Sequence, residues 1–246
     1  MADCTTGNIT SYSSFKIDRY IRQPISSNKY QLGSVVLVNK QLKHGIIVCD
    51  NALTQKDIAT EEMIDNKDVT DFHGGYYQIA KEGFDQMTNK LHNMNMTWND
   101  LEKISITGRG FGGGIALITG YLLHNTTYEN DMEIIAFGAP KVLKNVERNQ
   151  TNQTDELPKW KSFVDAVERQ GSKLNIVRIN HENDPVPENP RYNENLTSPW
   201  FHIGYQSKFK EESSNSGTWR TSYIRYIFNI YFRNPEITKG KIVMEF

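Results

Sequence analysis

The chain has 246 residues, of which 37% are hydrophobic and 23% charged, so it can bury one sizeable core in a single α/β domain. Its formal net charge is −1 and no basic cluster is interleaved with aromatic residues, which excludes a composition typical of nucleic-acid binding. Two cysteines, Cys4 and Cys49, are too few for a disulfide framework or a metal-binding set, and we expect neither a metal nor a cofactor.

The first residues, MADCTTGNITSYSS, lack the charged and apolar segments of a signal peptide. No apolar run has the length of a membrane span, so we expect no transmembrane segment and a cytoplasmic protein. Glycosylation sequons leave secretion open, although a chain rich in Asn and Thr contains several by chance. They lie at Asn8, Asn95, Asn125, Asn149, Asn152 and Asn195.

In chain order, the first predicted elements are two β-branched runs, Gly33–Val38 and Gly45–Cys49, around the polar turn NKQLKH. This pattern predicts a β-hairpin. Residues 52–70 are polar and acidic, which predicts a loop with a helical turn. A helix is predicted from Tyr76 to about Leu91, because apolar residues recur there at helical spacing. They are Ile79, Phe84, Met87 and Leu91.

Strands and helices then alternate. The predicted strands are Ile104–Thr107, Ile134–Phe137 and Asn175–Asn180, and the predicted helices are Ile115–Leu123, Trp160–Gln170 and the aromatic tail Trp219–Phe232. The polar stretch Lys144–Lys159 is interpreted as a surface insertion. Alternation after an initial hairpin predicts one α/β domain over residues 1–246, a three-layer sandwich with a mixed, mainly parallel central sheet.

The glycine-rich turn between the strand at Ile104 and the helix at Ile115 has three interpretations. As a phosphate loop, Gly108-x-Gly110-x-x-Gly113 matches a dinucleotide fingerprint. The next strand, however, ends in Gly-Ala-Pro instead of the acidic residue that binds a ribose hydroxyl, and no Lys-Ser/Thr follows for a P-loop. Nucleotide binding therefore stays an alternative, beside a tight corner without chemistry.

The third interpretation is a nucleophile elbow, with the pattern G-x-S-x-G. Here the stretch is Gly108-Arg109-Gly110-Phe111-Gly112, so both flanking glycines are present and Gly110 stands at the nucleophile position. Glycine adopts the strained elbow conformation more readily than other residues. The turn can therefore form without the nucleophilic side chain that an elbow normally presents.

Six segments in a fixed order bear on this choice. They are FHGGY from Phe72, ITGRGFGGGIAL from Ile106, IAFGAPKV from Ile135, SFVD from Ser162, VRINHENDPVP from Val177 and FHIG from Phe201. Together they resemble the class 3 (fungal-type) lipase family over roughly residues 34–206, which implies an α/β-hydrolase fold.

The resemblance implies a triad whose acid is Asp184 and whose base is His202, while Gly110 marks the position of a missing serine nucleophile. From the residues alone, Asp184 can equally begin a turn, and His202 can be a half-buried histidine in an aromatic patch. The nearby candidates Ser105 and Thr107 lie on the strand before the turn, and we expect neither them nor Cys49 to replace the serine.

The oxyanion region also departs from the family, which usually has F-R-G-T/S after the second hairpin strand. Here Cys49-Asp50-Asn51-Ala52 takes its place, so the oxyanion region would comprise Ala52 and Phe111, with the charge of Asp50 opposing catalysis. The segment at the position of a lid, roughly Thr54–Asn66, has only scattered apolar residues and is poorly suited to a lipid surface.

We therefore expect a pseudo-lipase that binds a lipid or acyl ligand, or a protein partner. The alternatives are a weak ester hydrolase in which His202 and Asp184 activate water, and a nucleotide-binding protein that uses the glycine turn.

Overall fold

A computed structural model of the chain describes residues 21–25, 34–49, 72–144, 160–181, 184–188 and 200–209. These residues form nine β-strands, three α-helices and two 3₁₀ turns. In chain order the strands and helices are β1 (Ile21–Pro24), β2 (Val35–Asn39), β3 (His44–Cys49), α1 (Gly74–Asn93), β4 (Lys103–Arg109), α2 (Phe111–His124), β5 (Asp131–Phe137), β6 (Leu143–Lys144), α3 (Lys161–Glu168), β7 (Leu174–His181), β8 (Trp200–Phe201) and β9 (Tyr205–Phe209).

The main sheet has seven strands in the order β1-β2-β3-β4-β5-β7-β9. The pairs β1–β2 and β2–β3 are antiparallel, and the four following pairs are parallel. The short strands β6 and β8 form a separate antiparallel pair. This topology confirms the predicted mixed, mainly parallel sheet.

The predicted hairpin is confirmed, because β2 pairs with β3 in antiparallel register with Val38 opposite Gly45. Lys43 closes the turn with a φ of 47°. Strand β1 was not predicted; it pairs along the outer side of β2 and ends at Pro24. A proline is tolerated there because an edge strand leaves one row of amide groups without ladder partners.

Helix α2 covers one face of the parallel strands. The inward residues of β4 and β5 are fully buried, among them Ile104, Ile106 and Ile134. A Cβ placed on Gly120 of α2 would collide with the Ile134 side chain, so the helix lies very close to the sheet. Helices α1 and α3 both pack against α2. Helix α3 does so through the ring of Phe163.

The three helices confirm their predictions with shifted ends. Helix α1 buries Ile79, Met87 and Leu91, as its apolar spacing predicts. Helix α2 begins at Phe111, four residues before its predicted start. Sequence propensity misses this first helical turn, because glycines disfavour a helix. Packing nevertheless leaves little room for a side chain here, since a Cβ on Gly114 would lie 3.0 Å from Val142.

Several predictions fall outside the described residues. They are the loop at 52–70 with its lid segment, the insertion after Lys144 and the tail Trp219–Phe232.

Candidate functional site at the strand-to-helix elbow

Gly110 forms the apex of the turn between β4 and α2. Its backbone has φ 54° and ψ −124°, a conformation that glycine adopts easily and that strains residues with a Cβ. Its N–H donates to the carbonyl of Phe137 at 2.8 Å, and its own carbonyl accepts from the N–H of Gly113 at 2.9 Å. A Cβ added at Gly110 would meet no atom within 4 Å, so the space above the apex is open.

The glycines around the apex are explained by packing. A Cβ on Gly108 would collide with the carbonyl of Gly112 and lie 2.9 Å from the Cys49 carbonyl oxygen. A Cβ on Gly113 would lie 2.8 Å from the Cβ of Ala139. The close packing of β4, α2 and the loop after β5 therefore explains these glycines. A bound phosphate is not needed to explain them.

Each of the three candidate nucleophiles near the turn contacts a neighbouring group. Cys49 is 2% exposed, and its Sγ lies 3.9 Å from the Oγ1 of Thr119 beneath α2. Ser105 places its Oγ 3.1 Å from the Nε2 of His44, on the neighbouring strand. The Thr107 hydroxyl donates to the carbonyl of Ile135 at 2.8 Å.

Asp184 follows β7 and is 6% exposed. One oxygen of its carboxylate, Oδ1, accepts a hydrogen bond from the N–H of Val186 at 2.9 Å. This is the contact expected of an Asp that begins a turn, which is the simpler of the two interpretations of this residue.

His202 contacts a backbone group. Its Nε2 lies 2.8 Å from the carbonyl oxygen of Pro187. Because a carbonyl oxygen can only accept, Nε2 carries the proton, and Nδ1, which is buried, has no hydrogen-bond partner. Burial, together with the charges of Arg178 and Lys141, lowers the pKa of His202 to about 3. The ring is therefore neutral near pH 7.

Neither ring nitrogen of His202 hydrogen-bonds to the Asp184 carboxylate, although His202 contacts Pro187, three residues after Asp184. The catalytic roles assigned to them stay predictions.

The other predicted positions can be placed only in part. Phe111 begins α2, and its ring lies 6.1 Å from that of Tyr76. Ala52 and Asp50 lie outside the described residues. The predicted segment from Phe72 brings His73 beside the loop after β5, where its backbone N–H donates to the carbonyl of Val142 at 3.0 Å.

Sequence reasoning missed Arg178, which is a buried guanidinium within β7. The signal is an arginine between Val177 and Ile179 in the predicted strand NIVRIN, and that pattern does not reveal that the side chain is buried.

No group of three or more potential metal ligands occurs within the residues the structure covers. Among the helices of those residues, none is long and apolar enough to cross a membrane.

The sheet topology and the elbow define an α/β protein of the hydrolase type. The profile of the family described as Lipase (class 3) matches residues 44–194, more than half of the chain. The chain therefore belongs to the class 3 lipase family.

Solved fungal lipases share this fold. Rhizomucor miehei triacylglyceride lipase matches with a TM-score of 0.55 and 16% identity, over 77% of this chain and 66% of that one. The Lip2 lipase from Yarrowia lipolytica matches with a TM-score of 0.52 and 18% identity, over 77% and 65%. A lipase from Rhizopus microsporus var. chinensis matches with a TM-score of 0.50 and 20% identity, over 80% and 64%. This chain thus spans less than two thirds of their length. No curated protein sequence matches it significantly.

Proposed function

We propose that this chain is a class 3 lipase-family protein without the serine nucleophile, and that it binds a lipid or acyl ligand, or a protein partner, without turning it over. The observation that carries the proposal is the apex of the elbow. Gly110 has positive φ and open space above it, yet it offers no attacking group. Removing the serine from a comparable triad costs about a millionfold in turnover, a value taken from a protease.

The surrounding side chains support this proposal. The thiol of Cys49 is buried beneath α2, and the hydroxyls of Ser105 and Thr107 are hydrogen-bonded on the strands. None of these three groups lies within 4 Å of the position that a Cβ on Gly110 would take.

The state of His202 argues against the alternative in which it activates water. An effective general base at neutral pH has a pKa near the working pH. The pKa of His202 is lowered to about 3, and its ring has no hydrogen bond to Asp184. Such a ring is a weak base and lacks the orienting acid.

The nucleotide-binding alternative also loses support. Packing against Gly112 and Ala139 already accounts for Gly108 and Gly113. Thermal unfolding with NAD or ATP tests this alternative directly, and we expect no increase in the melting temperature.

An acyl ligand is the first choice because the fungal lipases that share this fold include one named for triacylglyceride. The open space above Gly110 lies where an acyl group would approach the elbow.

A fluorophosphonate probe tests the missing nucleophile. We expect no labelling of the native protein, and robust labelling would overturn the proposal.

Gly110→Ser introduces the hydroxyl, and Gly171→Ser is a matched control because Gly171 also has positive φ and open space around its Cβ position. We expect little esterase activity in Gly110→Ser, because the sequence at Cys49-Asp50-Asn51-Ala52 is unsuited to an oxyanion. Near-normal activity would show that only the nucleophile is missing.

A further inference from the structure

The chain contains six Asn-x-Thr triplets, the pattern at which asparagine accepts an N-linked glycan. The 23 asparagines and 18 threonines, placed at random in 246 residues, give about two such triplets. The 15 serines supply an internal comparison, because random placement gives about one Asn-x-Ser triplet and the chain has none. The abundance of asparagine alone therefore does not explain the six triplets.

Two of these triplets lie in the described part of the chain, and both are in surface turns. Asn95 and Asn125 are exposed, and so are Thr97 and Thr127, which complete their triplets. Asn95 lies in the turn after α1 with a φ of 54°, and Asn125 caps the C-terminal end of α2. Their backbone N–H groups donate to carbonyls of the preceding helical turn. Within the described residues, neither side-chain amide is part of the contacts that hold these turns.

The two turns are neighbours on the surface. Asn99, in the short 3₁₀ turn after Thr97, donates from its Nδ2 to the Oγ1 of Thr127 at 3.0 Å. The two triplets therefore belong to one surface region, and its exposed side chains are polar. They include His92, Asn93, Asn99, Asp100, Thr126 and Glu129. A surface of this kind accommodates a bulky hydrophilic group such as a glycan.

This region is remote from the elbow. Helix α2 begins next to the apex, and its 14 residues place Asn125 about 20 Å from Gly110 at the usual rise per residue. Helix α1 begins on the same side, where Tyr76 packs near Phe111, and the turn after it meets the turn after α2. Both helices therefore lead away from the elbow. Glycans at the two asparagines leave the open space above Gly110 uncovered.

We propose that Asn95 and Asn125 are N-glycosylation sites and that the chain enters the secretory compartment in which a lipid-linked oligosaccharide is the donor. In the transfer, the amide nitrogen of the asparagine side chain forms a bond to the anomeric carbon of the first sugar and loses one proton. The bond between that carbon and the lipid pyrophosphate breaks, and the pyrophosphate leaves with the electron pair. The inference is independent of the proposed ligand binding. It opposes the cytoplasmic location expected from the first residues and favours the secretory alternative.

The cysteine in the described part of the chain is compatible with such a compartment. Secretory compartments are oxidising, so an accessible free thiol there is prone to disulfide formation. Cys49 is 2% exposed beneath α2. Its thiol is therefore shielded once the chain has folded.

The test uses the full chain isolated from the cells that naturally produce it. Peptide:N-glycosidase F, in water enriched in oxygen-18, removes an N-linked glycan and converts the asparagine that carried it to labelled aspartate. We expect tandem mass spectrometry to find this label at positions 95 and 125, and we expect the intact mass to fall after the treatment. Unlabelled asparagine in most copies at either position would overturn the proposal, even where other triplets carry the label.

Matched threonine variants, made in the same cells, separate glycosylation from other modifications. Thr97→Asn and Thr127→Asn each destroy one triplet, while asparagine keeps a capping side chain at position 97 and a hydrogen-bond acceptor at position 127. Each should lower the intact mass by one glycan. Thr97→Ser and Thr127→Ser preserve the triplets and should keep the glycan. All four variants retain Asn95, so the left-handed conformation there is unchanged. An unchanged intact mass in either asparagine variant would contradict a glycan at that position.

Discussion

The N–H of Gly110 donates to the carbonyl of Phe137 at 2.8 Å, so the apex of the elbow is tied to the end of the neighbouring strand. This bond joins backbone atoms only, so a side chain at position 110 takes no part in it. The identity of the residue still matters, because the backbone conformation favours glycine.

Gly110→Ala should destabilise the protein by about 1–3 kcal/mol, the usual cost of a non-glycine residue in a strained backbone conformation. No steric cost adds to this, because a Cβ there meets no atom within 4 Å. Gly171→Ala should cost a similar amount for the same reason. Urea unfolding measures both, and a much larger loss for Gly110→Ala would show that the space above the apex is not open.

Gly108→Ala should be far more damaging, by more than about 3 kcal/mol, because its Cβ would collide with backbone atoms of Gly112 that cannot move independently. Gly45→Ala is the comparison, since its Cβ would lie 2.9 Å from the end of the Leu101 side chain, which can shift. Chemical unfolding of the two variants checks the order, and equal losses would contradict the packing explanation of the elbow.

Stability should fall as the pH drops from about 6.5 toward 3, because the pKa of His202 is lowered to about 3 in the folded chain. In that window the unfolded chain binds a proton that folded His202 does not, so acid favours unfolding by up to about 1.4 kcal/mol per pH unit. Burial also lowers the pKa of His44 and His124, which adds to the trend with the same sign.

The variant His202→Gln isolates the contribution of this ring, since glutamine can still donate to Pro187 but does not titrate. Its stability should depend less steeply on pH than that of the native protein. The NMR signals of His202 should show no titration between pH 5 and 8, and a midpoint near 6.5 would show that the ring is solvated.

The thiol of Cys49 should react with Ellman's reagent only when the protein unfolds, because it is 2% exposed beneath α2. The measurement uses a Cys4→Ser background, so that one thiol is followed. Cys49→Ala should leave fluorophosphonate labelling unchanged. Rapid modification of Cys49 in the folded protein would return it to the set of possible nucleophiles.

Much of the fold follows from local patterns in the sequence. The β-branched runs around Lys43 and the helical spacing of Ile79, Met87 and Leu91 predict the elements that the structure contains. Strand β1 escapes prediction because Ile21–Pro24 is short and ends in a proline. The start of α2 escapes it because close packing, rather than helix propensity, determines the position of the first turn.

The site was only partly predictable. The elbow follows from the glycine spacing, because a Cβ on Gly108 or Gly113 would meet a backbone or side-chain atom at close range. The partner of His202 does not follow, since the order of residues along the chain does not reveal that the ring Nε2–H donates a hydrogen bond to the carbonyl of Pro187. Arg178 escapes for a related reason, because its burial depends on strands that come together only in the folded sheet.

The relaxed backbone at Gly110 has an evolutionary consequence. Any nucleophilic side chain at this apex must be held in an unfavourable conformation, a cost that selection tolerates while turnover matters. Glycine holds the same conformation without that cost. A substitution that placed a nucleophile at the apex would therefore bring its own strain, which other contacts of the fold would have to offset.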